Sequence, residues 1–404
     1  MVIVMSTEDD TGGVAGRVAA ARKLAGLTQQ QLAMRANVSA SLVRKVEQGS
    51  KPPSPAFVAA TATALGLSVS DLYGQPHFVS ATSRYGTEQA LIPDLERAIM
   101  EFRDPSLDGP PMTIGDAGQR LAEVVSAGRK SRYSEALTVL PNLLRGLHVL
   151  SVEAMPDAEG ERVHTLLTQT YQSAMFTAYK LGHLSLCAWA AERMCWAAGH
   201  SGDPLWSAMG EYCRAQSLMF NGSYRTSGTL LDRSAEQASD SSDPRSFEVR
   251  GASHLSSAII AARLSDPDTS AAHLSEARGM ARHKAPGDHF DTAFSDANVD
   301  IHNVAAAVEM WDGTTALRRG ADLQLDGKLY PSRHGHFHID MARARLLHGD
   351  HDGAVNEIQA ARHLSPEQTR YHPQVHETIR ALARARRRSD PVARLAAWAG
   401  VREP

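Results

Sequence analysis

The chain has 404 residues, of which 43% are hydrophobic and 22% are charged, so it is not a disordered chain and is long enough for two or three domains. Its cysteines, Cys187, Cys195 and Cys213, are an odd set without CxxC spacing, and no apolar run has the length of a signal sequence or a membrane span. These features argue against a disulfide framework and predict a cytoplasmic protein with no membrane partner.

The net charge of −3 is unevenly distributed along the chain. Residues 13–74 carry seven basic and two acidic side chains, a sum of +5, so the remaining residues carry −8. A small basic segment on a larger acidic body indicates that the basic segment meets a polyanion.

The sequence divides into four predicted parts. Residues 1–12 are polar and acidic and are expected to form a disordered tail. Residues 13–74 are dense in short helical patterns, and residues 75–115 are expected to be a linker with one amphipathic helix at 89–102, which either caps the following region or makes a dimer contact. Residues 116–404 are almost wholly helical in period, so the predicted fold class is all-α.

Within the basic segment, two short helices are predicted on either side of a tight turn. Thr28 and Gln31 form a capping box, and Asn37 stands where the turn requires a positive φ. Ser39 caps the second helix, which ends at Gly49. This is the pattern of a helix-turn-helix unit.

The second helix of this unit has an outward face made of Ala40, Ser41, Arg44 and Lys45. These positions pair at i, i+4, so all four side chains share one surface. A basic helix face that begins at a capped N-terminus suits the major groove of DNA.

The segment 14–73 resembles the Cro/C1-type (XRE) helix-turn-helix domain of phage repressors and their bacterial relatives, including Pro52–Pro55 and the run Ala64–Leu72. The resemblance implies a five-helix domain and a structural ion pair between Arg22 and Glu47. It also implies DNA contacts at Gln29, Ser39, Ala40, Ser41, Arg44, Lys45 and Lys51. Ala40 departs from the long polar side chain of many relatives, which limits readout there to a thymine methyl or to nothing.

The region after residue 115 repeats a short turn motif six times. The motifs begin at Ser131, Gly182, Gly222, Asp266, Asp312 and Gly349, with spacings of 37 to 51 residues. Each motif places a small residue a few positions after the turn, where a paired helix approaches closely. Residues 116–401 therefore resemble degenerate tetratricopeptide repeats, which imply an α-solenoid of helix pairs; an irregular solenoid or a plain bundle is the alternative.

Motifs for nucleotide, metal and acyl-transfer chemistry are missing from the sequence, which argues against an enzyme and against a cofactor. His334 and His338 have metal-ligand spacing, but no third ligand is evident, so packing or surface roles are favoured. The basic run 380–388 is expected to be the solvated face of a late helix. An aromatic and Met-rich cluster either fills the core or forms an effector pocket, for which the candidates are Trp189, Trp196, Trp206, Met209 and Tyr212.

The combination of a helix-turn-helix segment with a tetratricopeptide-like region resembles a class of bacterial transcription regulators. In that class the repeats serve as the dimerisation surface and as the effector sensor. Such proteins include peptide-pheromone regulators and many actinobacterial regulators. The resemblance implies a homodimer that binds an inverted repeat with half-sites about 34 Å apart. A small molecule or peptide would be its effector. Two alternatives stay open: the repeats are a docking scaffold for a partner protein, or an enzyme is fused to a DNA-binding domain.

Overall fold

The computed structural model describes most of the chain, namely residues 13–77, 87–102, 111–155, 157–325, 327, 329–385 and 390–401. Within these ranges it contains 21 helices and no strand, so the predicted all-α class is confirmed. The tail predicted at residues 1–12 lies outside the described residues.

The first five helices form one small unit, here called the head: α1 Gly13–Leu24, α2 Gln29–Arg35, α3 Ala40–Glu47, α4 Pro55–Leu65 and α5 Val69–Tyr73. Four of these helices begin where a side-chain oxygen accepts a hydrogen bond from a backbone N–H of the first turn; the caps are Thr28, Ser39, Ser54 and Ser68. Apolar residues from all five helices meet in a common core that includes Val18, Leu32, Val43, Phe57 and Leu72. The five-helix domain is thus specified largely by local capping and helical periodicity.

The other helices form the array: α6 Thr87–Met100, α7 Ile114–Arg129, α8 Tyr133–Glu153, α9 Ala158–Lys180, α10 Leu184–Ala198, α11 Pro204–Phe220, α12 Tyr224–Ser239, α13 Ser246–Arg263, α14 Pro267–Ala281, α15 Asp296–Glu309, α16 Gly313–Gly320, α17 Pro331–His348, α18 His351–Leu364, α19 Pro366–Tyr371, α20 Pro373–Ala385 and α21 Asp390–Ala399. Consecutive helices pack as pairs, and each pair packs on its neighbours. The array is an α-solenoid of tetratricopeptide-like helix pairs, as predicted.

Each of the six predicted turn motifs is the turn inside one helix pair. A residue with positive φ stands in every one of them: Ser131, Gly182, Gly222, Ser265, Trp311 and Gly349. The backbone N–H after it donates to the carbonyl five residues earlier, as from His183 to Ala178 at 2.9 Å. The small residue that follows is buried against the partner helix, and Ser227 donates to the carbonyl of Ala215 at 2.7 Å. The turn and the small residue together set the register of each pair.

The helix predicted within the 75–115 segment is α6, and it is part of the array. Its Ile92, Leu95 and Ile99 are buried against α8 and its neighbours. The Gln89 amide donates to the carbonyl of Leu181 at 3.0 Å, which ties α6 to the turn after α9. This helix therefore covers the array instead of acting as a free spacer.

The basic run 380–388 differs from the expected solvated face. Arg380 is 3% exposed, and its guanidinium lies 2.8 Å from the carboxylate of Glu377. The described part of the run, residues 380–385, belongs to α20, whose buried side faces α1 of the head. Residues 386–388 lie outside the described residues. The arginines at the start of the run thus serve packing between the two parts of the molecule.

Candidate DNA-binding face and candidate effector cavity

The helix-turn-helix geometry exposes one face of α3. Ser39 accepts a 3.1 Å hydrogen bond from the N–H of Leu42, and Asn37 has a φ of 51° in the preceding turn. Val43 and Val46 anchor the opposite side of α3 in the head core, where both are fully buried. As a result, the predicted base-reading residues share one exposed surface: Ala40, Ser41, Arg44 and Lys45.

A buried ion pair fixes α3 against α1. The Arg22 guanidinium donates to both carboxylate oxygens of Glu47, at 2.6 and 2.9 Å, and to the carbonyl of Leu27 at 2.7 Å. The Gln29 amide donates to the same carboxylate at 2.8 Å, a contact that the sequence analysis missed. Burial alone would raise the pKa of Glu47, but the hydrogen bonds from Arg22 and Gln29 lower it. The carboxylate therefore holds the start of α2 and the end of α3 in one orientation.

Lys51, predicted to contact the DNA backbone, is engaged by the array in this structure. Its ammonium lies 3.7 Å from the ring centroid of Trp311, in the turn between α15 and α16. Burial and the nearby charge of Lys45 lower the pKa of Lys51. Trp311 holds a φ of 64°, an unfavourable conformation for a large side chain, and its ring contacts the head through Lys51. A phosphate contact by Lys51 would have to replace this cation–π contact.

Polar contacts at the centre of the interface also join the head to the array. The backbone N–H of Val14 donates to the Glu377 carboxylate at 3.2 Å, and the Gln374 amide donates to the Tyr73 hydroxyl at 2.9 Å. The rings of His77 and His376 stack with their centroids 4.0 Å apart. Since these groups are buried, the head has one defined position on the array in this structure.

Beside this interface lies a partly enclosed cavity of about 290 Å³. The head supplies one part of its wall, with Pro55, Ala59, Val69 and Tyr73. Most of the rest comes from the inner faces of α7, α9, α11, α13, α15 and α17, and smaller parts come from α19, α20 and the starts of α8, α10 and α12. Its volume is near the lower end of the range for small-molecule sites, about 300–1,000 Å³.

The cavity wall combines aromatic rings with an ionic network. The rings of Tyr179 and Phe220 stack with centroids 3.5 Å apart. Glu309 lies 3.4 Å from Arg263 and 3.1 Å from Arg343, and Arg343 lies 3.0 Å from Asp340. Burial raises the pKa of Asp340 to about 6 in spite of Arg343. Such a mixture of rings and buried charges is typical of a ligand site.

The aromatic cluster predicted to form an effector pocket is largely elsewhere. Tyr212 lines the cavity, but Trp206 and Met209 are buried in the core. Trp189 is 49% exposed, and Trp196 packs edge-on against Phe102 on the outer side of α10. The correction has a simple reason: large apolar side chains fill any interface between helices, so their density does not locate a cavity.

The residues that do line the cavity left a different pattern in the sequence. Arg333, His336, Asp340 and Arg343 recur at intervals of three and four residues along α17, so they occupy one helix face that borders the cavity. A charged stripe on the inner side of a buried helix is unusual and therefore informative. His334 and His338, the two histidines with metal-ligand spacing, lie on the nearly opposite face of α17.

His334 and His338 stack on each other, and the Nδ1 of His338 lies 2.7 Å from the Glu357 carboxylate. Among the described residues, no group of three or more side chains is arranged to hold a metal ion. In the same ranges, no helix is long and apolar enough to cross a membrane.

Comparison with known proteins agrees with the geometry of the head. Residues 14–72 match the family model described as a helix-turn-helix domain. The head is a helix-turn-helix domain. A search of curated proteins finds no match to the chain.

Among solved structures, PlcR from Bacillus thuringiensis, in complex with the peptide PapR7 and DNA, is 14% identical over 88% of this chain and 94% of its own, with a TM-score of 0.29. ComR from S. thermophilus, in its apo form, is 11% identical over 89% and 97% of the two chains, with a TM-score of 0.28. Because both TM-scores are low, these likenesses assign neither ligand nor partner to the array.

Proposed function

We propose that the chain is a sequence-specific, DNA-binding transcriptional regulator whose array senses an effector in the cavity beside the helix-turn-helix domain. The proposal assigns base contacts to the α3 face and phosphate contacts to Gln29, Ser39 and Lys51. Phosphate contacts position such a domain, and base-edge contacts give it sequence preference.

One observation carries the sensing half of the proposal: the helix-turn-helix domain and the array share the cavity wall. A ligand in the cavity touches both parts, so its affinity depends on the position of the head. By linkage, it shifts the head toward the position that it binds better. An aromatic, partly enclosed cavity of this volume also supports a small effector over the docking of a whole protein.

The proposal includes a homodimer that places two α3 helices in successive turns of the major groove. Such an arrangement requires an inverted-repeat operator with half-sites about 34 Å apart. The Lys51–Trp311 contact gives a physical route for regulation, because Lys51 leaves the array when it reaches a phosphate.

The test is selection of randomised duplex DNA by the full-length protein with its Arg44→Ala/Lys45→Ala variant. The matched control is Arg162→Ala/Arg225→Ala, which removes two exposed charges from the array. We expect the wild type and the control to enrich an inverted repeat and the α3 variant to enrich none. Since each phosphate or base contact by a cation releases counterions, the slope of log affinity against log salt should fall by about 1 to 2 in the α3 variant.

Two outcomes would overturn parts of the proposal. Equal enrichment by the wild type and the α3 variant would remove the assigned reading face. Enrichment of a single, asymmetric half-site would leave DNA reading in place and refute the symmetric dimer.

A further inference from the structure

Among the described residues, two cations of the cavity wall form no ion pair, although Asp340 acts electrostatically on one of them and Asp291 on the other. Lys180, at the end of α9, makes no hydrogen bond or ion pair with a described residue and borders the cavity. Arg333, in the first turn of α17, makes one hydrogen bond to a described residue, donating to the carbonyl of Thr292 at 3.4 Å. The other cations of the wall are paired: Arg129 with Asp291 at 2.7 Å, and Arg263 and Arg343 with Glu309.

Lys180 and Arg333 are close enough to repel each other electrostatically. Burial lowers the pKa of Lys180 to about 7, and the charge of Arg333 adds to the decrease. Both cations also help to depress the pKa of His336, after burial as the main cause, so they border the same part of the cavity. Like charges held together in a poorly solvated space are unfavourable unless an anion joins them.

The whole cavity wall has a surplus of positive charge. Five of its side chains are cationic, Arg129, Lys180, Arg263, Arg333 and Arg343, and three are acidic, Asp291, Glu309 and Asp340, which leaves a sum of +2 with the histidines neutral. The N-terminal turn of α17 also borders the cavity and adds the positive end of a helix dipole.

We propose that the cavity binds a small organic anion, with Lys180 and Arg333 holding its acidic group and the Tyr179–Phe220 pair holding its apolar body. This inference rests on the proposed function in that it names the chemical class of the effector. Arg333 offers a planar fork of N–H groups for a carboxylate or phosphate, and Lys180 adds a compact charge. The stacked rings and Met219 offer an apolar surface to the rest of the ligand.

The experiment uses the fluorescent anion anilinonaphthalene sulfonate and the uncharged phenylnaphthylamine, which has the same ring system, with the full-length protein. Lys180→Met and Arg333→Met are compared with Arg225→Met, which removes an exposed charge of the array. We expect one anion site per chain and a loss of at least about tenfold in its affinity in each cavity variant, the size of one charge-assisted hydrogen bond. The uncharged probe should change less than about threefold, which also verifies that the variants are folded.

Competition then distinguishes the acidic groups. Phenylbutyrate and phenyl phosphate should displace the sulfonate probe, and phenylbutyramide should not. Equal losses for both probes in the cavity variants, or displacement by the amide, would overturn the anion site. Operator affinity is measured in parallel. An anion that fills the site without changing operator affinity would refute effector coupling, whereas the proposed anion site would stand. If an uncharged ligand alone changes operator affinity, the coupling of the array to DNA binding is supported and the assignment of the effector to the organic anions is refuted.

Discussion

Replacing Lys180 by Met should make the protein more stable. Burial, with the charge of Arg333, lowers the pKa of this lysine from its usual 10.5 to about 7. If the whole difference in pKa is converted to free energy, burying this ammonium costs about 4 kcal/mol at pH 7 relative to its exposed state in the unfolded chain. Water that enters the cavity reduces this cost, so we expect Lys180→Met to raise the free energy of unfolding by about 1–3 kcal/mol at pH 7.

The gain should have a characteristic pH dependence. Because the folded-state pKa is below the unfolded-state value, the unfolded chain binds the proton more strongly, and the lysine destabilises the fold fully at and below about pH 7. The penalty is relieved as the pH rises from about 7 towards 10.5, where both states become neutral. The advantage of the variant over wild type should therefore decrease across this window. Arg333 and Asp340 are the charged neighbours that modulate it.

Urea denaturation followed by circular dichroism between pH 6.5 and 9 measures this difference, about 1.4 kcal/mol per pH unit at most. Arg225→Met serves as the control and should change stability by less than about 0.5 kcal/mol at every pH. A variant less stable than wild type at pH 7, or a gain that does not change with pH, would refute the picture of an unpaired, poorly solvated ammonium.

Three further predictions concern the helix-turn-helix domain. Glu47→Gln breaks the buried pair with Arg22 and should lower the free energy of unfolding by about 2–4 kcal/mol in urea denaturation at pH 7. Because the pKa of Glu47 is lowered in the folded state, the difference in stability from wild type should disappear as the pH falls below about 4. A difference that does not change with pH would contradict the ion-pair account. Trp311→Ala frees Lys51 and should raise operator affinity about two- to tenfold in fluorescence anisotropy, whereas weaker binding would show that the contact supports the DNA-binding position. Ser39→Ala removes the α3 cap and should lower the free energy of unfolding by about 1 kcal/mol, whereas Ser39→Thr should keep most of the cap's stabilisation. Equal losses of stability in the two variants would assign the effect to something other than the cap.

The parts of the fold that depend on local interactions could be predicted from sequence. Thr28 and Ser39 mark the starts of two helices, because the side chain of a capping residue contacts a backbone N–H only three positions away. The repeats of the array were visible because each turn needs a positive φ and then a small residue, both of which limit residue choice. These constraints act within a few residues, so the linear order of the chain retains them.

The cavity could not be predicted in the same way. Its charged wall brings Lys180 of α9 together with Arg333 of α17, more than 150 residues apart, and no local rule connects them. The contact of Lys51 with Trp311 could not be predicted either, because it depends on where the two domains meet. The positions of Trp189 and Trp196 outside the cavity have a different cause: helix period places a side chain on one face of the helix, but packing decides which surface that face meets.

The shared wall of the cavity has a consequence for how such a regulator can be dissected or recombined. A fragment that begins after the head would lack the side formed by Pro55, Ala59, Val69 and Tyr73, so its site would be an open groove with different affinities. A chimera that joins this array to a foreign helix-turn-helix domain would change the operator and the ligand spectrum together. Ligand specificity is in this sense a property of the junction, and it would evolve with substitutions on α4 and α5 as readily as with those in the repeats.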